Sequence, residues 1–490
     1  MRVLYYNWAD YRDPEGRGGG VSVYQRNLIE GLATREGVET AFLSAGLAHD
    51  LRNRTPRIVT LQDGASPRYV LVNSGVVAPS HADFGGATQL DHPATEAAFA
   101  EFVDRTGPWD VIHFNNLEGL PAHVLALKDR WPDTKFILSL HNYYPMCPQV
   151  NLWQAEAKHC SDFKGGEACA TCLTAQPQPR SVRSAYAVGW TLSRVGAGPG
   201  TMLFDKVFRP SLGFAWRGLR AILRARHKSR HADQPETPVA PPVPVGTAFA
   251  IRRQRMIALI NSYCDSVVCV SDRVRQIAEA YGIEHDRLLT RYIGTREAAE
   301  WQNSQPRDSF LRADGTIHLA YLGYMRRDKG FYFLMRALTA LPAEIASRVH
   351  LTVAAKSGDT EAMRAMLSVL PKLASLRHVN GYTHDDLHDL LADVDVGLVP
   401  VQWEDNLPQV AIEMHARHIP ILSSDRGGAQ ELGACPDLVF KAGDTQAFAD
   451  ALERILDGTI TPAHYWANAK APVDMPTHLD ALLDLYQETA

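Results

Sequence analysis

The densest run of chemically useful side chains is VPVQWEDNLPQVAIEMHARHIPILSSDRGGAQEL, residues 399–432. Glu404 and Asp405 stand side by side in a loop, and seven residues separate Asp405 from Glu413 on the helix that follows. A carboxylate there can accept both hydroxyls of a ribose, as acids do in dinucleotide sites. Asn406 is placed to cap that helix and Pro408 to enter its first turn, where free backbone N–H groups suit an anion. Gly427 and Gly428 permit backbone to approach a phosphate or sugar closely.

A second cluster, YLGYMRRDKGFYFLMRAL (321–338), puts Arg326, Arg327, Lys329 and Gly330 after a strand-like run. Cations there can stabilise negative charge that develops on a bound group. Three glycines, Gly18, Gly19 and Gly20, sit in GRGGGVSVYQRNL between the first strand and first helix. Val21 stands where a dinucleotide fingerprint needs a glycine, so an oxidoreductase reading fails on spacing. His113 in VIHFNN and His141 in LSLHNYYPMCP each end a strand.

The acidic loop resembles the donor loop of the family 4 retaining glycosyltransferases of group 1 type, an acid and a Glu seven residues apart before a Gly-Gly turn. The resemblance makes Asp405 the acid that meets sugar hydroxyls and Glu413 the holder of the nucleotide ribose. The run from Gly323 to Gly330 is similar to the family's G-R-x-x-x-x-K-G, with Lys329 on the donor diphosphate. Tyr324 stands where the family has arginine, which leaves Arg326 or Arg327 to supply that charge. Gly18 to Gly20 resemble the family's glycine loop at the donor phosphates, and His141 the histidine near the reacting centre. The resemblance implies transfer of a sugar from a UDP- or GDP-sugar to an acceptor hydroxyl, with retention and without a catalytic cofactor. The acceptor would be a glycan or a lipid-linked molecule in polysaccharide or glycolipid assembly. Rival readings are a non-catalytic nucleotide-sugar-binding protein and another GT-B enzyme such as a nucleotide-sugar epimerase.

Such loops must hang from a rigid frame. MRVLYY, RYVLV, VIHF, KFILSL and SVVCV read as strands between amphipathic stretches in the first half. IHLAYLG, VHLTVAA, VGLVPV, PILSS and LVF repeat the alternation in the second. Strand–helix alternation means parallel sheets covered on both faces. The fold class expected is therefore α/β with GT-B architecture, two doubly wound Rossmann-like domains facing a cleft. The boundaries expected are 1–295 for the N-terminal domain, 296–475 for the nucleotide-sugar domain, and 476–490 for a helix returning across the junction.

An insertion over about 145–250 interrupts the first domain. It holds Cys147, Cys160, Cys169 and Cys172, for which a structural zinc site, reduced thiols and a disulfide all stand as readings. Basic residues over 206–230 adjoin an apolar stripe, which fits either an interfacial helix on an anionic membrane or a solvated face packed on the domain. A net charge of −5 argues against nucleic acid as a partner. No apolar run is long enough to span a bilayer and no leader opens the chain, so a cytoplasmic protein is expected, peripheral at the inner membrane face if 206–230 meets lipid.

Overall fold

The computed structural model describes residues 1–61, 64, 66–173, 178–211 and 246–488. The strands in chain order are β1 (Arg2–Asn7), β2 (Glu39–Ala45), β3 (Arg57–Leu61), β4 (Arg68–Val72), β5 (Val111–Phe114) and β6 (Lys135–Leu140). A short antiparallel pair follows, β7 (Trp153–Gln154) and β8 (Lys158–His159), then β9 (Ser266–Cys269) and β10 (Leu288–Thr290). The second half supplies β11 (Ile317–Tyr324), β12 (Val349–Lys356), β13 (Ser375–Val379), β14 (Val396–Val399), β15 (Ile421–Ser424) and β16 (Val439–Phe440).

One sheet runs β10-β9-β6-β5-β1-β2-β4-β3 and the other β13-β12-β11-β14-β15-β16. Pairing is parallel except at the edge, where β3 runs antiparallel to β4. The apolar runs become strands because both faces are covered: every residue of β14 and β15 is buried. Helices between them bury one face, as Phe331–Ala340 does with Phe331, Phe333, Leu334, Met335, Ala337 and Leu338.

The chain divides into two compact units, 1–138 with 144–150 and 162–265, and 139–143 with 151–161 and 266–490. In the second unit the order reverses between β11 and β14, because the chain moves outward through β12 and β13 before crossing back. The loops after β11 and β14 thus flank a topological switch point, where open α/β sheets bind ligands. Lys329 stands in the first of these loops and Asp405 in the second. No helix among the described residues is long and apolar enough to cross a membrane.

Candidate functional site

The loop after β11 reaches Lys329 and turns into its helix at Gly330, whose φ is +78°. A Cβ on Gly330 would lie 1.7 Å from the carbonyl oxygen of Pro400, so glycine is required where this loop meets the one after β14. The Gln402 N–H donates to the Asp328 carbonyl at 2.8 Å, fixing the two loops together. Across that junction Lys329 Nζ donates to Asp405 Oδ2 at 2.6 Å and lies 4.9 Å from the centroid of the Trp403 ring. Lys329 and Asp405, distant in sequence, therefore form one ion pair.

Glu404 has a different task. Its side chain is 1% exposed and takes a two-pronged bond from Arg273, Nε at 2.9 Å and Nη2 at 2.7 Å. Arg426 Nη1 adds a bond at 2.9 Å and the Gly427 N–H another at 3.0 Å. Burial alone would raise this carboxyl, but the Arg273 pair, the Gly427 N–H and Arg426 outweigh it and hold its pKa at about 2. Glu431 completes the scaffold, accepting the N–H groups of Asp272 and Arg273 at 2.9 and 2.7 Å. A carboxylate there complements the positive end of the helix Asp272–Ala280.

Glu413 lies on the helix Gln409–His415 and is 5% exposed. Its Oε1 is 3.6 Å from His384 Nδ1, while Oε2 is buried with no hydrogen-bond partner among the described residues. Burial raises its pKa, partly opposed by His384. Glu297 shares the neighbourhood, bonded by Arg417 Nη2 at 2.7 Å. Tyr382 feels the Glu413 charge too, and burial pushes its hydroxyl well above the ordinary tyrosine value. A buried carboxylate oxygen left unpaired is costly unless a ligand satisfies it.

Other expected residues fall elsewhere. Asn406 does not cap the helix: Pro408 occupies that position, and no side chain among the described residues caps it. Asn406 is instead drawn into the loop scaffold, its carbonyl accepting the Ser271 hydroxyl at 2.7 Å. Gly427, at φ +72°, faces the acidic loop, where a Cβ would lie 1.9 Å from the Asp405 carbonyl oxygen. Gly428 is also close-packed, with a Cβ 2.5 Å from the Asn406 carbonyl oxygen. Arg326 and Arg327 are both engaged, with Asp328 at 2.8 Å and Glu361 at 2.7 Å. Tyr324 is 59% exposed at the end of β11. His141 is half-buried, and desolvation followed by the His478 charge pushes its pKa down to about 3.

Gly18 to Gly20 belong to the first unit, where they open the helix Gly19–Leu32. His113 is fully buried in β5, its ring 5.5 Å from that of Tyr5. Cys147, Cys169 and Cys172 are buried in the first unit and Cys160 is counted with the second. Cys172 Sγ donates to Gln149 Oε1 at 2.8 Å. Among the described residues no group of three or more His, Cys, Asp or Glu is arranged to hold a metal. Of the basic stretch 206–230, residues 212–230 lie outside the described residues.

Arg273, Arg417, Arg426, Glu297 and His384 are the site residues that sequence reasoning missed. Their partners lie up to 158 residues away, so no local spacing marks them.

Comparison with known proteins places this geometry in context. Curated protein sequences give no match. Among solved structures, the chain is similar to a sucrose-phosphate synthase from Thermosynechococcus elongatus, with TM-score 0.56, 14% identity, and 99% and 98% of the two chains covered. It is also similar to HepE of Anabaena in complex with UDP, with TM-score 0.54, 12% identity and 99% of each chain covered. An α,α-trehalose-phosphate synthase (UDP-forming) from Burkholderia vietnamiensis gives TM-score 0.54 and 12% identity over 100% of both chains. These likenesses show the fold, α/β of GT-B type with Rossmann-like domains. Residues 316–458 match the model of the group 1 glycosyl transferases, and Lys329, Asp405 and Glu413 all lie within that segment.

Proposed function

We propose that the chain is a retaining glycosyltransferase of the family 4 kind, moving a sugar from a UDP- or GDP-sugar to an acceptor hydroxyl. The observation that carries this is the Glu413 carboxylate, 5% exposed with Oε2 unpartnered, in the same domain as the Lys329–Asp405 pair. A ribose diol would supply the missing donors to Glu413. Lys329 would meet the diphosphate as negative charge develops on the leaving group. Asp405 would then accept from sugar hydroxyls, and the glycine loop Gly18–Gly20 would line the phosphates. A neutral His141 would hydrogen-bond the sugar near the reacting centre. In this reading no side chain acts as covalent nucleophile, and attack comes from the face of the leaving phosphate. Excluding water matters, since hydrolysis of the donor competes.

A cytoplasmic site of action, with a glycan or lipid-linked acceptor in polysaccharide or glycolipid assembly, belongs to the same proposal. So does a peripheral contact with membrane through 206–230. Among the described residues these four cysteines do not form a group arranged to hold a metal.

The test is incubation with radiolabelled UDP- and GDP-sugars and an acceptor extract, scoring transfer against epimerisation, alongside Glu413→Gln. Transfer should occur with one base, and the variant should bind that nucleotide roughly 10–100-fold more weakly, since the diol would no longer bond to a buried charge. Epimerisation without transfer, or unchanged nucleotide affinity in the variant, would overturn the proposal.

A further inference from the structure

The first unit holds a cavity of about 530 Å³ that the donor reading does not use. It is lined by His49 and Arg54 after β2, by Gly75 after β4, by His92, and by Arg180 and Arg183 of the helix Pro179–Arg194. Three guanidinium groups and two imidazoles thus converge from four chain segments, and none of the lining residues is an acid.

The cavity is polar and unsatisfied as it stands. His49 is 2% exposed, and its Nε2 has no hydrogen-bond partner among the described residues. Its ring is held at the other side by the backbone of Gly46 and stacks at 15° on Tyr186. Arg183 Nη2 donates to the Gly75 carbonyl, while its Nε is buried and unpartnered among the described residues. The helix that brings Arg180 and Arg183 has 16 residues and no acid in its first turn, so its positive end adds to the field. Burial, and then the charges of Arg183 and Arg54 against the weaker pull of Asp50, drive the His49 pKa down to about 4.

Three arginines with no acid among the residues lining the cavity repel one another, and an anion relieves that repulsion. A carboxylate offers two oxygens in a plane. A phosphate offers three or four in a tetrahedron, which suits donors arriving from separate segments. The volume exceeds what a bare phosphate fills, leaving room for what it is esterified to. We propose that this cavity is a phosphate-ester site, with Arg54, Arg180 and Arg183 as its cations and His49 Nε2 as an added hydrogen-bonding partner. With the ring anchored at Gly46, Nε2 either accepts the P–OH proton of the monoanion or takes up that proton and donates. The site lies within the first unit and does not rest on the donor reading.

Isothermal titration of the full chain with inorganic phosphate, glucose 6-phosphate and dodecyl phosphate tests it. Arg54 and Arg180 are exposed, so the double variant Arg54→Gln/Arg180→Gln should fold. It should bind phosphate about 100-fold more weakly, roughly tenfold for each charge-assisted hydrogen bond removed. His49→Gln, read the same way, should weaken binding about tenfold. Lys329→Met should leave phosphate affinity unchanged, which separates this cavity from the diphosphate position of the donor. Tighter binding of glucose 6-phosphate than dodecyl phosphate marks a small soluble ester, and the reverse marks a lipid. No heat with any phosphate, affinity within twofold of wild type in the double variant, or abolished binding in Lys329→Met overturns the proposal.

Discussion

Replacing Glu404 by Gln should destabilise the second unit without removing any group proposed to touch the donor. The glutamate side chain is 1% exposed and accepts from Arg273, Arg426 and the Gly427 N–H. It joins the loop after β14, the loop after β15 and the start of the helix Asp272–Ala280. An amide at this position turns an N–H₂ group toward a guanidinium and leaves two partly buried arginines without their counter-ion. The pKa gives the size of the effect. Lowering a glutamate from its ordinary 4.5 to about 2 corresponds to roughly 3 kcal/mol of stabilisation at pH 7.

The sign follows from the depressed folded-state value. The stabilisation is complete above pH 4.5 and is lost as pH falls through about 2, because the unfolded chain takes up the proton first. At about pH 3 the linkage leaves only about 1 kcal/mol. Calorimetric melting at pH 7 should therefore show the second unit of Glu404→Gln unfolding roughly 6–12 °C below wild type. At about pH 3 that gap should shrink to less than half. A gap under about 2 °C at pH 7, or one that is the same at both pH values, would refute the claim that ionised Glu404 ties these segments together.

Lys329→Met should cost about 100-fold or more in kcat while leaving the melting temperature within a few degrees, read by single-turnover transfer and by calorimetry. Gly427→Ala puts a Cβ 1.9 Å from the Asp405 carbonyl oxygen at φ +72° and should destabilise the unit by about 2–3 kcal/mol, seen as a lower urea midpoint. His141, with its pKa pushed down to about 3, is neutral through the physiological range. The kcat/KM profile should thus show no histidine limb between about pH 5.5 and 7.5 that disappears in His141→Gln.

The frame was readable because its strands are continuous apolar runs: IHLAYLG became β11 and VGLVPV became β14. In the two large sheets the buried β2 and the edge strands β3, β10 and β13 were not read. RIVTL and SLRHV, β3 and β13, are half-exposed along much of their length and carry no buried-strand pattern. Lys329, Asp405 and Glu413 stood out by motif, and the structure brings Lys329 and Asp405 into contact. Their support did not stand out. Glu404 read as a neighbour of Asp405, yet it is the residue that bonds Arg273 from 131 positions away. Asn406 read as a helix cap by local spacing, but the Ser271 hydroxyl and Gly428 crowd its backbone into the loop scaffold.

Tyr324 shows most sharply what motif spacing leaves out. If the site takes the donor proposed above, tyrosine in place of the family's arginine leaves the charge of the diphosphate to other cations. Lys329, Arg326, Arg327, Arg273 and Arg426 each already have a carboxylate partner within the protein. Arg273 and Arg426 share Glu404, which burial locks in place, and Arg327 is tied to Glu361 at the surface. The Lys329–Asp405 pair is the one that spans the switch-point loops of β11 and β14. A donor entering there would offer phosphate oxygens to Lys329 and hydroxyls to Asp405 at once, so neither charge would be left bare. Exchange of one ion pair for two ligand contacts would then do the work that an arginine at 324 does by adding a charge.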